Sequence, residues 1–542
     1  MVRASAAGRW SAGVSGRPVT HLVLALTAGL AQAASMAWPL SFDAPWLALL
    51  SLQPGQPVWW LQLLALGGLA GLLDRCRGWR PAALTGWLFA TAWLAGTFWW
   101  TFIALHTYGG LPAILGVLAV LALAAMLAVY YALICGLFGA LAGVNKAWSA
   151  IVFASLWLLA EMARGRWLTG FGWGAAGYAH IEGPLATFAP WVGLYGLCAL
   201  SAWVAMTLAQ GLLPASREPA RGGRLAWQRL LAVPVLLSLP FIYTLTQPAH
   251  TTATGTLAVT LLQGNIPQDE KFEIGTGVPQ ALQWYAEQLQ SSRTPLVIAP
   301  ETAIPVLPQQ LPPDYWSALQ QRFASGSQAA LIGMPLGDAQ TGYTNSVIGL
   351  KPGQAEPWRY DKHHLVPFGE FIPPFFKWFT EMMNIPLGDF NRGPLGQPPF
   401  VWQGQRLAPN ICYEDLFSEE LGLLFADPAR DPTIFVNISN LAWYGQSLAM
   451  DQHLQIARLR AKEFERPFLL ATNTGVTAIV DHQGRVVSAL ARDTRAVLVG
   501  EVQGRTGTTP YAWWVARFGL WPLWLLAWGL AALACTLHLR KR

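Results

Sequence analysis

Hydrophobic positions change their pattern twice along the chain. Up to about residue 247 they form long runs that polar residues hardly interrupt. From 250 to 512 they form short or alternating runs separated by acids, bases, Pro and Gly, and after 512 one more long run closes the sequence. A helix needs about 20 mainly apolar residues to cross the hydrocarbon of a bilayer. Runs of that kind fall near 20–38, 56–73, 82–106, 111–142, 147–163, 187–212, 228–247 and 517–537. The pattern predicts a membrane α-helical bundle of about eight transmembrane helices. Seven lie in an N-terminal membrane domain, 1–247, and one in the C-terminal segment 513–542 with its basic tail. The stretch 42–52 is apolar but too short to span and stops at Pro54-Gly55, so it reads as interfacial or re-entrant.

The polar domain, 250–512, follows a different rhythm. Alternation and β-branching predict strands at 256–262, 329–334, 344–350, 406–411, 433–438, 468–472, 476–481 and 496–502, and a short apolar strand at 295–300 that ends in Glu301. Helical spacing appears at 279–291, 314–323 and 447–465. Interleaved strands and helices predict an α/β domain of layered sheets, in which reacting groups collect at the carboxyl ends of strands. The stretch 366–399 has no clear period, and Phe368, Phe371, Phe375, Phe376, Trp378, Phe379, Met382 and Met383 make it too apolar for a solvated loop. It is either a loop packed on its own core or a lid that dips into lipid, and a domain held at a bilayer favours the lid.

Composition agrees with the pattern: 53% hydrophobic, 12% charged and 28 Trp describe a membrane protein, since a soluble chain carries roughly a quarter charged residues. The net charge of +6 raises nucleic acid as a partner. Its basic residues, however, sit at the ends of the apolar runs, as topology determinants do, so no nucleic-acid partner is expected. Arg3, Arg9, Arg17, Arg75, Arg77, Arg80, Lys146, Arg217, Arg221, Arg224, Arg229, Arg540, Lys541 and Arg542 share one face of an eight-span frame. That face is cytoplasmic by the positive-inside rule, which puts 250–512 outside the cytoplasm. Arg164 and Arg166 fall on the opposite face, as functional residues or as the basic end of a snorkelling helix. The N-terminus also resembles a signal peptide ending near Ala31-Gln32-Ala33, but the apolar run continues through Trp38, favouring a retained helix.

Of the cysteines, Cys76, Cys135, Cys198 and Cys535 lie in or beside the apolar runs, so Cys412 stands alone in the polar domain. A lone thiol in an oxidising compartment is a liability unless buried or used. Cys412 sits where a strand gives way to a helix, a place that displays a nucleophile and lowers a thiol's pKa. Taken alone, the position suits a nucleophile or a buried cysteine equally. His453 offers a Cys-His arrangement, but its helix with Arg458 and Arg460 fits a surface histidine better. His363 and His364 are adjacent and point apart, and no zinc spacing or phosphate loop occurs, so neither metal nor cofactor is expected. Glu301, ending a buried strand, needs a cationic or hydrogen-bonding partner, and Lys362 offers itself. A Glu that takes the thiol proton and a Lys that holds an oxyanion supply activation and stabilisation together.

Taken in order, three segments resemble the Glu-Lys-Cys signature of the nitrilase, or carbon-nitrogen hydrolase, superfamily. They are Ala299-Pro300-Glu301-Thr302-Ala303-Ile304-Pro305, Lys362 to Glu370 with Phe371-Ile372-Pro373, and Ile411-Cys412-Tyr413-Glu414. More narrowly, the chain resembles the membrane-embedded branch, the apolipoprotein N-acyltransferase family. Gln263-Gly264-Asn265-Ile266-Pro267-Gln268, Ile438-Ser439-Asn440 with Trp443-Tyr444-Gly445, and Thr472-Asn473-Thr474-Gly475 fit as well.

The resemblance implies an α-β-β-α sandwich on the periplasmic side of a bacterial inner membrane. It makes Glu301 the general base, Lys362 the oxyanion stabiliser and Cys412 the nucleophile, with Glu370 supporting them and Tyr413, Glu414 and Trp443 at neighbouring functional positions. The expected acyl donor is a phospholipid, cut at its sn-1 ester. The expected acceptor is the α-amine of a diacylglyceryl-cysteine at an apolipoprotein's N-terminus. Trp167, Phe171, Trp173 and Tyr178 are candidates for the access route, or simply interfacial anchors. Phe272 and Leu441 depart from the family's Trp and Asp at those places. Two rivals are a membrane-tethered hydrolase of small amides or nitriles and a lipid transport or binding module without catalysis; the intact Glu301, Lys362 and Cys412 speak against the second.

Overall fold

A computed structural model describes residues 18–42, 44–141, 146–212, 230–246, 249–354, 356–372 and 390–540. The chain divides into two compact units. One holds Met1–Trp99, Ile114–Pro248 and Leu520–Arg542; the other holds Trp100–Ala113 and Ala249–Gly519.

The first unit is helical. Its long helices are Pro18–Met36, Trp59–Arg75, Trp79–Thr97, Ala113–Ala140, Lys146–Arg166, Ala189–Leu212, Ala232–Thr246 and Trp521–Leu539. Each stands where an apolar run predicts one, yet their lengths differ from the expectation. Among the described residues, Val19–Met36, Ala113–Ala140, Pro184–Leu212 and Trp521–Leu539 are long and apolar enough to cross a bilayer. A fifth span arises if Trp79–Thr97 and Thr101–Tyr108 count as one. The apolar run 82–106 is not one continuous helix: Phe98 leaves helical backbone (φ −120°, ψ 34°), and helix resumes at Thr101, ending in a π turn over Ala104–Tyr108. Hydropathy does not register such a break, because the residues around it are as apolar as the helix itself. Ala232–Thr246 has 15 residues and holds Pro240 in its interior.

Close packing inside this unit rests on small residues and stacked rings. A Cβ on Gly29 would lie 2.2 Å from the Phe89 carbonyl oxygen, so the helices Pro18–Met36 and Trp79–Thr97 meet backbone to backbone there. Trp93 and Trp157 stack at 5.8 Å beside Tyr131. Arg164 lies 5.7 Å from the Trp93 ring. It is fully buried and donates to Glu161 (2.9 Å), the Tyr131 hydroxyl (3.0 Å) and the carbonyls of Phe171 (2.6 Å) and Trp173 (2.8 Å). Arg164 is therefore not a snorkelling end. It pins the stretch after its own helix, whereas Arg166 is exposed. Trp173 and Tyr178 are buried in this unit, while Trp167 is exposed and stacks on Trp524 at 5.8 Å.

The second unit contains two six-stranded sheets. In the first, β1 (Thr251–Gln263), β2 (Leu296–Ile298), β3 (Ala329–Asp338), β4 (Gly342–Leu350) and β5 (Trp358–Asp361) run in sequence order, and β12 (Ala496–Gly507) joins beside β1. The second runs from β6 (Phe400–Trp402) through β7 (Gln405–Ile411), β8 (Ile434–Ser439), β9 (Phe468–Thr472) and β10 (Ala478–Val480) to β11 (Val486–Ala489). Parallel pairing joins β1, β2 and β3 at one centre and β7, β8 and β9 at the other; the outer pairs are antiparallel. Buried on both faces, the central strands read as unbroken apolar runs. The sheets face each other through one core that includes Val259, Leu261, Ile298, Leu331, Ile411, Val436, Ile438 and Leu469. Outside the first sheet, the helices Gly277–Ser291 and Tyr315–Ala324 bury Leu282, Tyr285, Leu289, Leu319 and Phe323. The helix Ala449–Phe464 packs on β9 of the second sheet. The result is the expected α-β-β-α sandwich, with β5, β6 and β11 as edge strands that the alternation pattern misses.

Candidate active site

Glu301, Lys362 and Cys412 each follow the carboxyl end of a strand: β2, β5 and β7. Glu301 Oε1 accepts from Lys362 Nζ (3.2 Å) and Asn345 Nδ2 (2.7 Å), and Oε2 accepts from the Asn440 backbone N–H (2.9 Å). The same Lys362 and Asn345 donate to Glu370 Oε1 at 2.9 and 2.8 Å, and the Val366 N–H caps Glu370 Oε2 at 2.8 Å. Two carboxylates thus share one ammonium and one amide, with Lys362 only 1% exposed. Burial opposes charge on Lys362, but the carboxylates of Glu301 and Glu370, with Cys412, hold its ammonium well above the ordinary lysine range.

Cys412 is partly exposed and has φ 53°, in the left-handed region that residues with a Cβ seldom adopt. A strand running into such a turn lifts the side chain out of the sheet, as a nucleophile elbow does. The five-residue 3-10 turn that follows, Cys412–Leu416, does not lower the thiol's pKa as the helix N-terminus expectation requires. Burial and then the Glu301 carboxylate push the thiol well above its usual range, with Lys362 pulling it down. At rest the sulfur is a thiol that needs a base, and a carboxylate belongs to the same cluster.

The supporting residues occupy distinct places. Glu414 Oε1 accepts from the backbone N–H groups of His363 (2.7 Å) and His364 (3.1 Å), while Oε2 accepts from the Ile411 N–H (2.7 Å) and the Tyr360 hydroxyl (2.8 Å). One side chain therefore ties the turn after Lys362 to the turn that carries Cys412. Tyr413 is buried, its ring against Phe417 at 5.3 Å and His364 at 5.7 Å. Trp443 lies in the short turn Ala442–Tyr444 after β8. Its ring meets Tyr108 edge-on at 5.8 Å, and Tyr444 meets Trp100 at 4.3 Å. Trp100 also donates from Nε1 to Gln452 Oε1 at 3.0 Å, so the short stretch after the helix break belongs to the surroundings of Trp443.

The three other sequence segments converge on the same cluster. Asn473 Nδ2 donates to Asn440 Oδ1 (3.0 Å) and the Ile266 carbonyl (3.0 Å), and Asn440 Nδ2 donates to Gln268 Oε1 (2.8 Å). Asn440, whose N–H meets Glu301, is therefore held by both neighbouring segments. Leu441 is buried and its N–H donates to the Thr474 carbonyl at 3.0 Å, so it packs there without a polar role.

Two residues of this site escape sequence reasoning. Asn345 reads as an inward position of β4 and nothing more. Lys271 reads as a loop lysine, yet it is 1% exposed with Nζ 3.1 Å from the Glu301 carbonyl oxygen and 5.9 Å from the half-exposed Phe272 ring. Burial pushes its pKa down to about 8 against the raising influence of Glu301 and Cys412. Its place three residues after the Gln263–Gln268 segment is the signal the sequence offers. His453 is corrected too: it is 1% exposed, not a helix-surface histidine. Of the apolar stretch 366–399, residues 366–372 and 390–399 are described, with Arg392 4.8 Å from the Phe371 ring. Phe375, Phe376, Trp378, Phe379, Met382 and Met383 lie outside the described residues.

Residues 37–207 match the apolipoprotein N-acyltransferase N-terminal domain and residues 258–511 match the carbon-nitrogen hydrolase domain. The chain is 56% identical over 518 residues to an apolipoprotein N-acyltransferase of Verminephrobacter eiseniae, covering 92% of this chain and 93% of that one. The chain belongs to the apolipoprotein N-acyltransferase family. A member from Ralstonia nicotianae is 42% identical over 90% of this chain and 92% of its own, and one from Nitrosomonas europaea is 40% identical over 74% and 80%. Among solved structures, a carbon-nitrogen hydrolase from Helicobacter pylori G27 is similar at 17% identity and a TM-score of 0.31, over 50% of this chain and 94% of that one. As a member of this family, the chain is an acyltransferase whose catalytic domain is nitrilase-like.

Proposed function

We propose that the protein transfers an acyl chain from the sn-1 position of a phospholipid to the α-amine of a diacylglyceryl-cysteine at an apolipoprotein's N-terminus. The reaction proceeds through a thioester on Cys412. Glu301 takes the thiol proton as sulfur attacks the ester carbonyl, and Lys362 stabilises the oxyanion that develops. The C–O bond then breaks, Glu301 returns the proton to the lysophospholipid alkoxide, and the acyl chain stays on sulfur. In the second half the amine attacks the thioester, Glu301 accepts a proton from nitrogen, the C–S bond breaks and Cys412 recovers its proton. Glu370 holds Lys362, Glu414 fixes the two turns, and Tyr413 and Trp443 shape the surroundings of the sulfur. Neither metal nor cofactor takes part in these steps.

The observation that carries this reading is the junction of Glu301 with Lys362 and Asn345 at strand ends, beside a partly exposed Cys412 in a left-handed turn. The membrane half gives both lipid-anchored substrates a lateral approach. We place it in the bacterial inner membrane as an eight-span frame: seven spans in 1–247, the catalytic domain 250–512 facing the periplasm, and the last span in 513–542. The arginines at the ends of the apolar runs support that orientation. Purified protein mixed with phospholipid should carry an acyl adduct on Cys412 by mass spectrometry, and a diacylated lipopeptide should discharge it into an N-acylated product. A wild type that never forms the adduct sinks the proposal, and release only as free fatty acid points to a hydrolase.

A further inference from the structure

His453 lies within the helix Ala449–Phe464, 1% exposed, and its ring has two polar neighbours. It makes a hydrogen bond with the Cys412 backbone, and its Nε2 stands 3.2 Å from Asp415 Oδ2. The Cys412 carbonyl also accepts from Asn437 Nδ2 at 3.0 Å, and the Ile411 N–H is held by Glu414 at 2.7 Å. The left-handed residue is thus gripped on both sides. Strained backbone at a reacting residue persists only where its surroundings over-determine it.

We propose that His453, oriented by Asp415, is a positioning residue that clamps the Cys412 carbonyl and so holds the nucleophile in its left-handed turn. This rests on Cys412 being the nucleophile. The ring does not act as the thiol's base, since its other nitrogen, Nε2, faces Asp415 and burial lowers its basicity. Burial pushes the His453 ring down to about 4, and burial likewise holds the Asp415 carboxyl well above the carboxylate range despite Arg460. Both shifts favour the neutral forms of ring and acid. Nε2 faces Asp415, so Nδ1 is the nitrogen left to meet the Cys412 carbonyl. Glu414 favours the same neutral acid, while Glu301 favours charge on the ring and Arg460 charge on the acid; burial outweighs both.

The test uses the full-length protein in detergent, with two readouts: the rate of Cys412 alkylation by iodoacetamide and the rate of acyl-adduct formation from phospholipid. A nucleophile displaced by about 1 Å loses on the order of a hundredfold in rate, so His453→Leu should slow acylation at least tenfold with the phospholipid KM unchanged. His453→Asn, which keeps an N–H near the Nδ1 position, should stay within about threefold of wild type. Asp415→Asn, isosteric with the protonated acid, should do likewise. A His453→Leu protein that acylates at the wild-type rate overturns the proposal. So does a His453→Asn protein as slow as His453→Leu. If His453→Leu does not accumulate, the two Asn variants decide: both near wild type supports the clamp, and a tenfold loss in either one overturns it. A wild type that alkylates at Cys412 but forms no acyl adduct counts against the acyltransferase mechanism, not against the clamp.

Discussion

Replacing Glu414 with Gln changes one atom and separates the two turns that carry Lys362 and Cys412. In the wild type, one carboxylate oxygen serves the His363 and His364 N–H groups, and the other serves the Ile411 N–H and the Tyr360 hydroxyl. Glutamine must turn an NH2 toward one of these pairs. Facing His363 and His364, it strands two backbone donors. Facing Ile411, it strands one, because the Tyr360 hydroxyl can rotate to accept. The second choice is cheaper, and a buried donor left unpaired costs about 1–3 kcal/mol. The remaining bonds also drop from charge-assisted to neutral strength, bringing the total to about 3–4 kcal/mol. For a domain of this size that corresponds to a fall of roughly 6–16 °C in the unfolding midpoint. Differential scanning fluorimetry in detergent measures the first effect, and the rate of acyl-adduct formation on Cys412 measures the second, expected to fall at least tenfold. A Glu414→Gln protein that melts within about 2 °C of wild type and acylates at the wild-type rate would refute the idea that this side chain holds the two turns together.

Lys362→Met leaves Glu301 and Glu370 facing each other without their shared cation, so it should cost about 3–5 kcal/mol in thermal unfolding and abolish the acyl adduct; a stable, acylating variant contradicts the pairing. Asn345→Asp puts a third carboxyl against Glu301 Oε1 and Glu370 Oε1, where the amide now donates; acylation should fall on the order of a hundredfold at neutral pH, and unchanged turnover rules out the bridging role. Burial holds the Lys271 ammonium down at about 8 in the folded chain, against about 10.5 for an ordinary lysine. Between those values the unfolded chain keeps a proton that the folded chain has lost, so stability rises with pH through this window, by about 3 kcal/mol, and is flat below 8, where both states hold the proton. Lys271→Met should lack that rise, so the gap between its stability and that of wild type should change by about 3 kcal/mol across pH 7.5 to 10.5; a pH-independent gap argues against a proton-releasing lysine.

What the chain reveals without its fold follows from which interactions are local. Strand-end chemistry is local: an apolar run stopping at Glu301, or Ile411 preceding Cys412, shows where a side chain leaves a sheet. The mates of those residues are not local. Asn345 and Glu301 are 44 residues apart and meet because β4 pairs beside β3, which pairs beside β2. His453 looks like a surface residue, and Lys271 draws no attention at all, for the same reason: only the packed chain buries them. In the helical unit, periodicity locates the elements but not their continuity. The break at Phe98 leaves hydropathy unchanged, and Arg164 looks like the end of a helix, not the buried anchor of the loop that follows it.

The thiol's raised pKa, at first sight a fault in a nucleophile, fits the charges around it. Lys362 is one cation shared by two carboxylates, so its ammonium is already engaged on both sides. A free thiolate would add another negative charge to a buried site, where low dielectric makes that expensive. Moving the proton from Cys412 to Glu301 leaves the cluster's total unchanged: one anion appears as another is neutralised. On the proposed mechanism the sulfur becomes anionic only while Glu301 is protonated, and it then sits near Lys362 with its strongest competitor for that ammonium removed. The same proton is on hand when the lysophospholipid alkoxide departs. A permanently ionised thiol would leave Glu301 without that proton, so the high resting pKa is what permits one carboxyl to serve as base and then as acid.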